Sequence, residues 1–257
     1  MTVVSRPRPP RLRPWLALCL ASLGGAALAD EPKTDGQWRA DAALSASVAR
    51  GNTESTQFAT SFDGYRATPL AKWSLYGNAL YGEQRTDGGE RKTADNLRLG
   101  LRYDHNVGER VFVFGLGEFE RDRLADLAHR VTAATGFGYK LVRSESTTFD
   151  LFGGLAGTRS RFDPGRASDD FELLIGEESS HRLTPAVRLR QKLSVYPTIG
   201  DGSDWRSVFD AALQVQLNAR LSLQLGLRNR YASRAPEGVR RSDTVFLTGL
   251  NVRFGAD

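Results

Sequence analysis

The feature that most constrains this chain is a strict two-residue rhythm. Apolar and polar side chains alternate through segment after segment of about ten to fourteen residues. In "RLSLQLGLRNRYAS", Leu221, Leu223, Leu225, Leu227 and Tyr231 share one face, with Asn229 the polar exception, and Ser222, Gln224, Gly226, Arg228 and Arg230 share the other. In "DNLRLGLRYDHN", Leu97, Leu99, Leu101 and Tyr103 oppose Arg98, Gly100, Arg102 and Asp104. In "AVRLRQKLSVYP", Val187, Leu189, Leu193 and Val195 oppose Arg188, Arg190, Lys192 and Ser194. "VFDAALQVQLN" sets Phe209, Ala211, Leu213, Val215 and Leu217 against Asp210, Gln214 and Gln216. A period of two is the signature of strands with unlike faces, and a helix would need 3.6.

The rhythm predicts about twelve strands, near 37–50, 54–66, 70–84, 92–105, 109–121, 127–142, 146–159, 168–182, 185–196, 205–218, 220–233 and 242–254. The segments at 109–121, apolar on both faces, and 168–182, acidic and irregular, fit least well. These segments are long for ordinary strands. Short turns ("ATP", "VGE", "RSE", "LTP", "A") follow the even-numbered strands, and longer polar stretches ("QRTDGGER", "RFDPGRAS", "TIGDGSD", "RAPEGVRR") follow the third, seventh, ninth and eleventh. Even strand number, long strands and one-sided loop length are the marks of a transmembrane antiparallel up-and-down β-barrel. A soluble periplasmic barrel is the alternative, and its inner face would be apolar rather than charged along its middle.

Aromatic residues collect at both ends of the segments. Trp38, Trp73, Tyr103, Tyr139 and Phe254 fall at the short-turn end, and Tyr81, Tyr196, Trp205 and Tyr231 at the other. Two girdles are expected where rings settle at headgroup depth. The charged face then lines the lumen, and its candidates are Arg98, Arg102, Asp104, Glu118, Glu120, Arg188, Arg190, Lys192, Asp210, Arg228 and Arg230. They form either an ion-pair plug or the wall of a narrow pore. A twelve-stranded barrel lies between the side-chain-filled eight and the open sixteen, which favours a filled or narrow lumen.

The N-terminus supplies the address. Arg6, Arg8, Arg11 and Arg13 precede an apolar run from Trp15 that closes on Ala27-Leu28-Ala29. This is the layout of a signal peptide over residues 1–29, with the barrel domain following at 30–257. Leu18 before Cys19 does not suit lipidation, and the exported chain then holds no cysteine. Removing the leader takes four arginines from the 35 Lys+Arg, which leaves 31 against 30 Asp+Glu. So small an excess disfavours a nucleic-acid partner.

The stretch "WRADAALSASVARGNTESTQFATSFDG", with Trp38 and the Gly51-Asn52-Thr53 turn, resembles the opening of the salt-induced (YdiY-like) outer membrane protein family. The block "FGLGEFERDRLADLAHRVTAATGFGYKL" is similar to its central signature through Phe119, Asp122, Leu127, Arg130, Gly136, Gly138 and Tyr139. Tyr196-Pro197, Asp204 to Arg206 and the closing strand match further. The resemblance covers almost all of the exported chain. It implies an outer-membrane barrel of a Gram-negative bacterium with no established reaction, and it carries over no catalytic residue.

Nothing in the residues points to chemistry. His105, His129 and His181 are not spaced as a zinc pair. Ser180 and His181 are adjacent, so in a strand they face opposite sides and cannot form a nucleophile–base pair. "RTDGGER" and "GDGSD" lack the alternating ligands of a calcium loop. The chain is therefore read as a non-enzyme without cofactor, structural or a narrow passage for small solutes or ions. A lipid-acting rim enzyme is the rival reading. The expected partners of the barrel are the lipid bilayer, lipopolysaccharide and the assembly machinery that reads a final strand such as "TVFLTGLNVRFGAD". That strand departs from the usual signal by the three residues after Phe254.

Overall fold

The computed structural model describes residues 33–49, 54–86, 89–200, 204–235 and 240–255. The leader and the Gly51-Asn52-Thr53 turn lie outside these residues. Twelve strands follow in chain order: β1 (Trp38–Ala49), β2 (Glu54–Ala67), β3 (Ala71–Thr86), β4 (Gly89–Asn106), β5 (Val111–Asp122), β6 (Leu127–Arg143), β7 (Thr147–Phe162), β8 (Arg166–Thr184), β9 (Val187–Pro197), β10 (Trp205–Gln216), β11 (Leu221–Ala232) and β12 (Ser242–Gly255). Each pairs antiparallel with its neighbours in sequence, and β1 pairs with β12, so the sheet closes into one barrel. Closure removes free edges, which lets a sheet cross lipid with its backbone groups satisfied.

The alternation sets the two surfaces. Leu155, Phe137, Phe171, Ile175 and Phe246 stand exposed on the outside, where a soluble protein would bury them. Arg98, Glu118, Glu172, Thr132 and Asn251 are buried inside. The protein is thus turned about relative to a soluble fold, with its apolar face out and its polar face in. Among the described residues no helix is long and apolar enough to cross a membrane.

One end has connections of two to four residues, tied by local bonds. At the β10–β11 turn, Asn218 Oδ1 accepts from the backbone N–H groups of Arg220 and Leu221 at 2.9 Å. At the β6–β7 turn the Ser144 hydroxyl accepts from Thr147 N–H at 3.0 Å. The other end differs from the sequence expectation. "QRTDGGER" and "RFDPGRAS" are mostly strand, because β3–β4 and β7–β8 continue their ladders beyond the apolar band. Cross-strand charge pairs line these extensions, Arg85–Glu90 at 3.4 Å and Arg159–Asp169 at 2.6 Å. Polar composition made them read as loops, whereas strands above lipid only need polar side chains to meet water.

Three inward rings lie flat over glycines directly across from them. Tyr76 faces Gly100, Phe112 faces Gly138 and Phe152 faces Gly176 in the register. A Cβ at Gly138 would sit 2.0 Å from the Phe112 ring. Gly138→Ala should therefore destabilise the barrel by about 1–3 kcal/mol, the usual range for overpacking. The urea midpoint in detergent checks this, with Gly157→Ala as the control, since nothing lies within 4 Å of that site.

The seam between β1 and β12 is short. Among the described residues it runs from Arg39↔Gly255 to Leu44↔Leu250, six residue pairs, against twelve pairs between β1 and β2.

Candidate functional site

The candidate site is the lumen. Its upper half, towards the long loops, holds a network of charged side chains that reaches across the barrel. Arg98 on β4 pairs with Glu118 on β5 at 2.5 Å and turns its other nitrogen to Asp210 on β10 at 3.7 Å. Strands β4 and β10 are six apart in a ring of twelve, so this contact spans the diameter. Arg230 on β11 reaches Glu120 on β5 at 2.9 Å, a second span between opposite strands. Arg228 holds the far oxygen of Asp210 at 2.8 Å.

Glu118 is the centre of this waist. Besides Arg98, it accepts from the Tyr76 hydroxyl and from the Tyr196 hydroxyl at 3.3 Å. Next to it, Arg206 makes two bonds to Glu172, at 2.9 and 2.8 Å, the paired geometry in which guanidinium and carboxylate bind best. Thr158 donates to Glu172 at 2.6 Å and meets Thr132 at 3.1 Å. Arg130 joins Glu120 at 3.2 Å and the Ser160 hydroxyl at 3.0 Å. Buried charges survive only when paired and hydrogen-bonded in this way.

Against the waist packs an apolar collar of Phe112, Phe114, Phe152, Leu174 and Tyr196. Arg102 threads it, its guanidinium 4.5 Å from the Phe152 ring and 4.8 Å from Phe114. Its nitrogens pair with Asp104 at 2.6 Å and reach Glu178 at 3.9 Å. Lys192 lies 4.2 Å over the Tyr76 ring. The collar explains why both faces of 109–121 look apolar: Phe112 and Phe114 point inward and Val111 and Phe119 outward.

Towards the short turns the inward charges are less buried. Arg190 and Arg253 each stand 3.6 Å from Asp41, with these three side chains only partly buried. Arg188 lines the mouth itself. Just outside β1, Asp35 binds Arg39 at 2.8 and 2.6 Å. That guanidinium, helped by the Gln37 N–H, holds the Asp35 carboxyl well below the usual carboxylate range.

All eleven lumen candidates fall on the inward parity of their strands. The aromatic set divides. Trp73 packs tilted against Tyr103 at 4.6 Å between centroids and Trp205 against Tyr231 at 4.5 Å, on the outer face at opposite ends. Trp38, Tyr81, Tyr139 and Phe254 are also exposed outside. Tyr196 is a correction: it is 0% exposed and points into the lumen. It shares parity with Arg190, Lys192 and Ser194, and parity outweighs its nearness to the rim. The sequence reading also missed Arg206, Glu172, Glu178 and Tyr76. Arg206 sits beside Trp205 at the start of β10, and Glu172 lies between Phe171 and Leu173 in the acidic, irregular run of β8, where the alternation is hardest to follow. Among the described residues, no three His, Cys, Asp or Glu side chains are grouped to hold a metal ion.

A family model described as "Protein of unknown function, DUF481" matches residues 42–254. The chain belongs to this family. DUF481 is the YdiY-like outer-membrane family of unknown function. The block that resembled its signature folds as β5, a single 3-10 turn and β6. Asp122 Oδ1 closes that turn by accepting from Leu124 and Ala125 N–H at 3.1 and 3.3 Å. Arg130 and Gly138 of the same block supply the Glu120 pair and the seat of Phe112. No curated protein matches the sequence. Among solved structures, the DUF481 chain is similar to an outer membrane channel from Pseudomonas putida F1, at 13% identity over 89% of this chain and 100% of that one, with a TM-score of 0.47. It is also similar to the translocator domain of autotransporter NalP from Neisseria meningitidis, at 13% identity over 87% and 90%, with a TM-score of 0.43. The NanC porin matches at 10% identity over 84% and 97%, with a TM-score of 0.43.

Proposed function

We propose that this DUF481 chain is an integral outer-membrane barrel whose lumen is held shut at the waist, a closed or very narrow charge-lined conduit rather than an open diffusion pore. The observation that carries this reading is the pair of contacts across the diameter, Arg98–Asp210 and Arg230–Glu120. A wide pore keeps its charges on its walls, facing water. Here charges on opposite walls are paired with each other through the centre.

The same reading places the short turns in the periplasm, the aromatic belts at the two lipid interfaces and lipopolysaccharide around the long-loop end. It also takes residues 1–29 as a cleaved leader, β12 as the strand that the assembly machinery reads, and the role as non-enzymatic. Planar bilayers test the waist. Purified, folded protein should give no stable conductance steps above the lipid control. Steady large steps would overturn the closed waist.

A further inference from the structure

Outside the lumen, one stretch of the outer wall gathers arginine above the apolar band. Asn96 and Arg98 take the inward parity of β4, so Asp95, Leu97 and Leu99 take the outward one. Asp95 is the shared acid of three cations. Lys92 from its own strand, Arg121 from β5 and Arg123 from the 3-10 turn each stand 3.3 Å from it. Lys92 also faces Glu83 across the ladder with β3, which leaves two guanidinium groups on one carboxylate.

On the next two strands, His129 of β6 and Arg161 of β7 are register partners. Ser160 is buried inside, so Arg161 and His129 face outward. Asp169 of β8, on the same strip, is held by two bonds from Arg159, at 2.6 and 3.2 Å. Among the described residues, neither Asp126 nor Asp163, in the turns above, forms an ion pair with Arg121, Arg123 or Arg161. The strip therefore carries more positive charge than its acids offset.

Its depth follows from what lies beneath. Phe119, Val131 and Leu155 continue the outward rows of β5, β6 and β7, and all three are exposed. Tyr81 of the upper girdle is the register partner of Asp95, and Lys92 lies 5.4 Å over its ring. The arginines thus stand where the apolar band gives way to headgroups. Guanidinium forks match the paired oxygens of phosphate. Fixed positive charge at that depth attracts anionic lipid. Strands β5 and β7 lie roughly 10 Å apart at the usual strand spacing, close enough for long side chains to converge on one headgroup.

We propose that Arg121, Arg123 and Arg161, with His129 between them, bind a phosphate group of the outer-leaflet glycolipid, lipopolysaccharide, whose chains lie along the apolar strip beneath. The site rests on the reading that the long-loop end faces outward, and it holds whether or not the waist passes ions.

Native mass spectrometry of the folded barrel, incubated in detergent with diphosphorylated lipid A, tests the site. Saturable retention of the lipid is expected. Lipid A stripped of its phosphates should bind about tenfold or more weakly, the scale of one lost charge-assisted hydrogen bond. Arg121→Gln and Arg123→Gln should each weaken retention of the phosphorylated lipid by a similar factor, and Arg220→Gln, in a short turn at the other end, should leave it unchanged. Inorganic phosphate, which has no chains to lay on the strip, should displace the lipid only in large excess. Equal retention of both lipids by the wild type, which needs no variant to fold, would overturn the proposal. So would equal weakening by Arg220→Gln, or displacement by inorganic phosphate at the lipid's own concentration. Orientation is read separately, by labelling Asp126→Cys on intact cells with a membrane-impermeant thiol reagent. Labelling without lipid retention overturns the site alone. Retention without labelling overturns the outward orientation, and with it the outer-leaflet lipid as the occupant.

Discussion

Glu118→Ala should lower the barrel's unfolding free energy by about 3–5 kcal/mol, the range for removing one partner of a buried ion pair. The substitution strips Arg98 of its closest carboxylate, which stands 2.5 Å away and is almost fully buried. It also removes the common acceptor of the Tyr76 and Tyr196 hydroxyls, from opposite sides of the lumen. Neither ring has a bulk-water substitute at that depth. Glu118→Gln should lose less, since an amide oxygen still accepts from the tyrosines while the charge is gone. Glu90→Ala is the contrast: its pair with Arg85 is exposed at 3.4 Å, and such pairs are worth about 0–1 kcal/mol. Denaturant midpoints in the same micelles, read by tryptophan fluorescence, check all three. Equal losses for Glu118→Ala and Glu90→Ala would remove Glu118 from the centre of the network.

Conductance gives the second large effect. Arg98→Ala combined with Arg230→Ala cuts the ion pairs across the diameter. The double variant should pass ions in bilayers where the wild type does not. The sign of its selectivity follows from what remains. Glu118, Glu120 and Asp210 lose two facing guanidinium groups, so the opened waist should prefer cations, as rings of carboxylates do. Conductance unchanged from wild type in a variant shown to be folded by its gel mobility would mean that other side chains close the lumen. Anion preference would mean that Arg206 and Arg130, not the carboxylates, set its field.

The barrel was legible in the chain because strand periodicity and burial are local. Leu223 and Arg228 declare their faces from their own segments, and the structure places them there. Tyr196 was legible by the same rule, but its place near a strand end suggested a girdle. The extensions of β3, β4, β7 and β8 were not legible, since an extended ladder above lipid and a polar loop share one composition. Least legible was the waist. Alternation says that Arg98 and Asp210 both point inward. It does not say that they meet, because that depends on the register summed over six strand pairs. The ring-on-glycine pairs show the same limit: Phe112 and Gly138 are each unremarkable until β5 and β6 are aligned.

The short β1–β12 seam bears on how the molecule comes apart. With six paired positions among the described residues it is the least fastened line along the wall, and it joins the first strand to the last. All other neighbours are held by a connecting turn or loop as well as by their ladder. Loss of structure should begin there as a lateral unzipping that turns the cylinder into a curled sheet. The charged side chains at the waist would then act as internal spokes, holding the cylinder's curvature after its rim has parted.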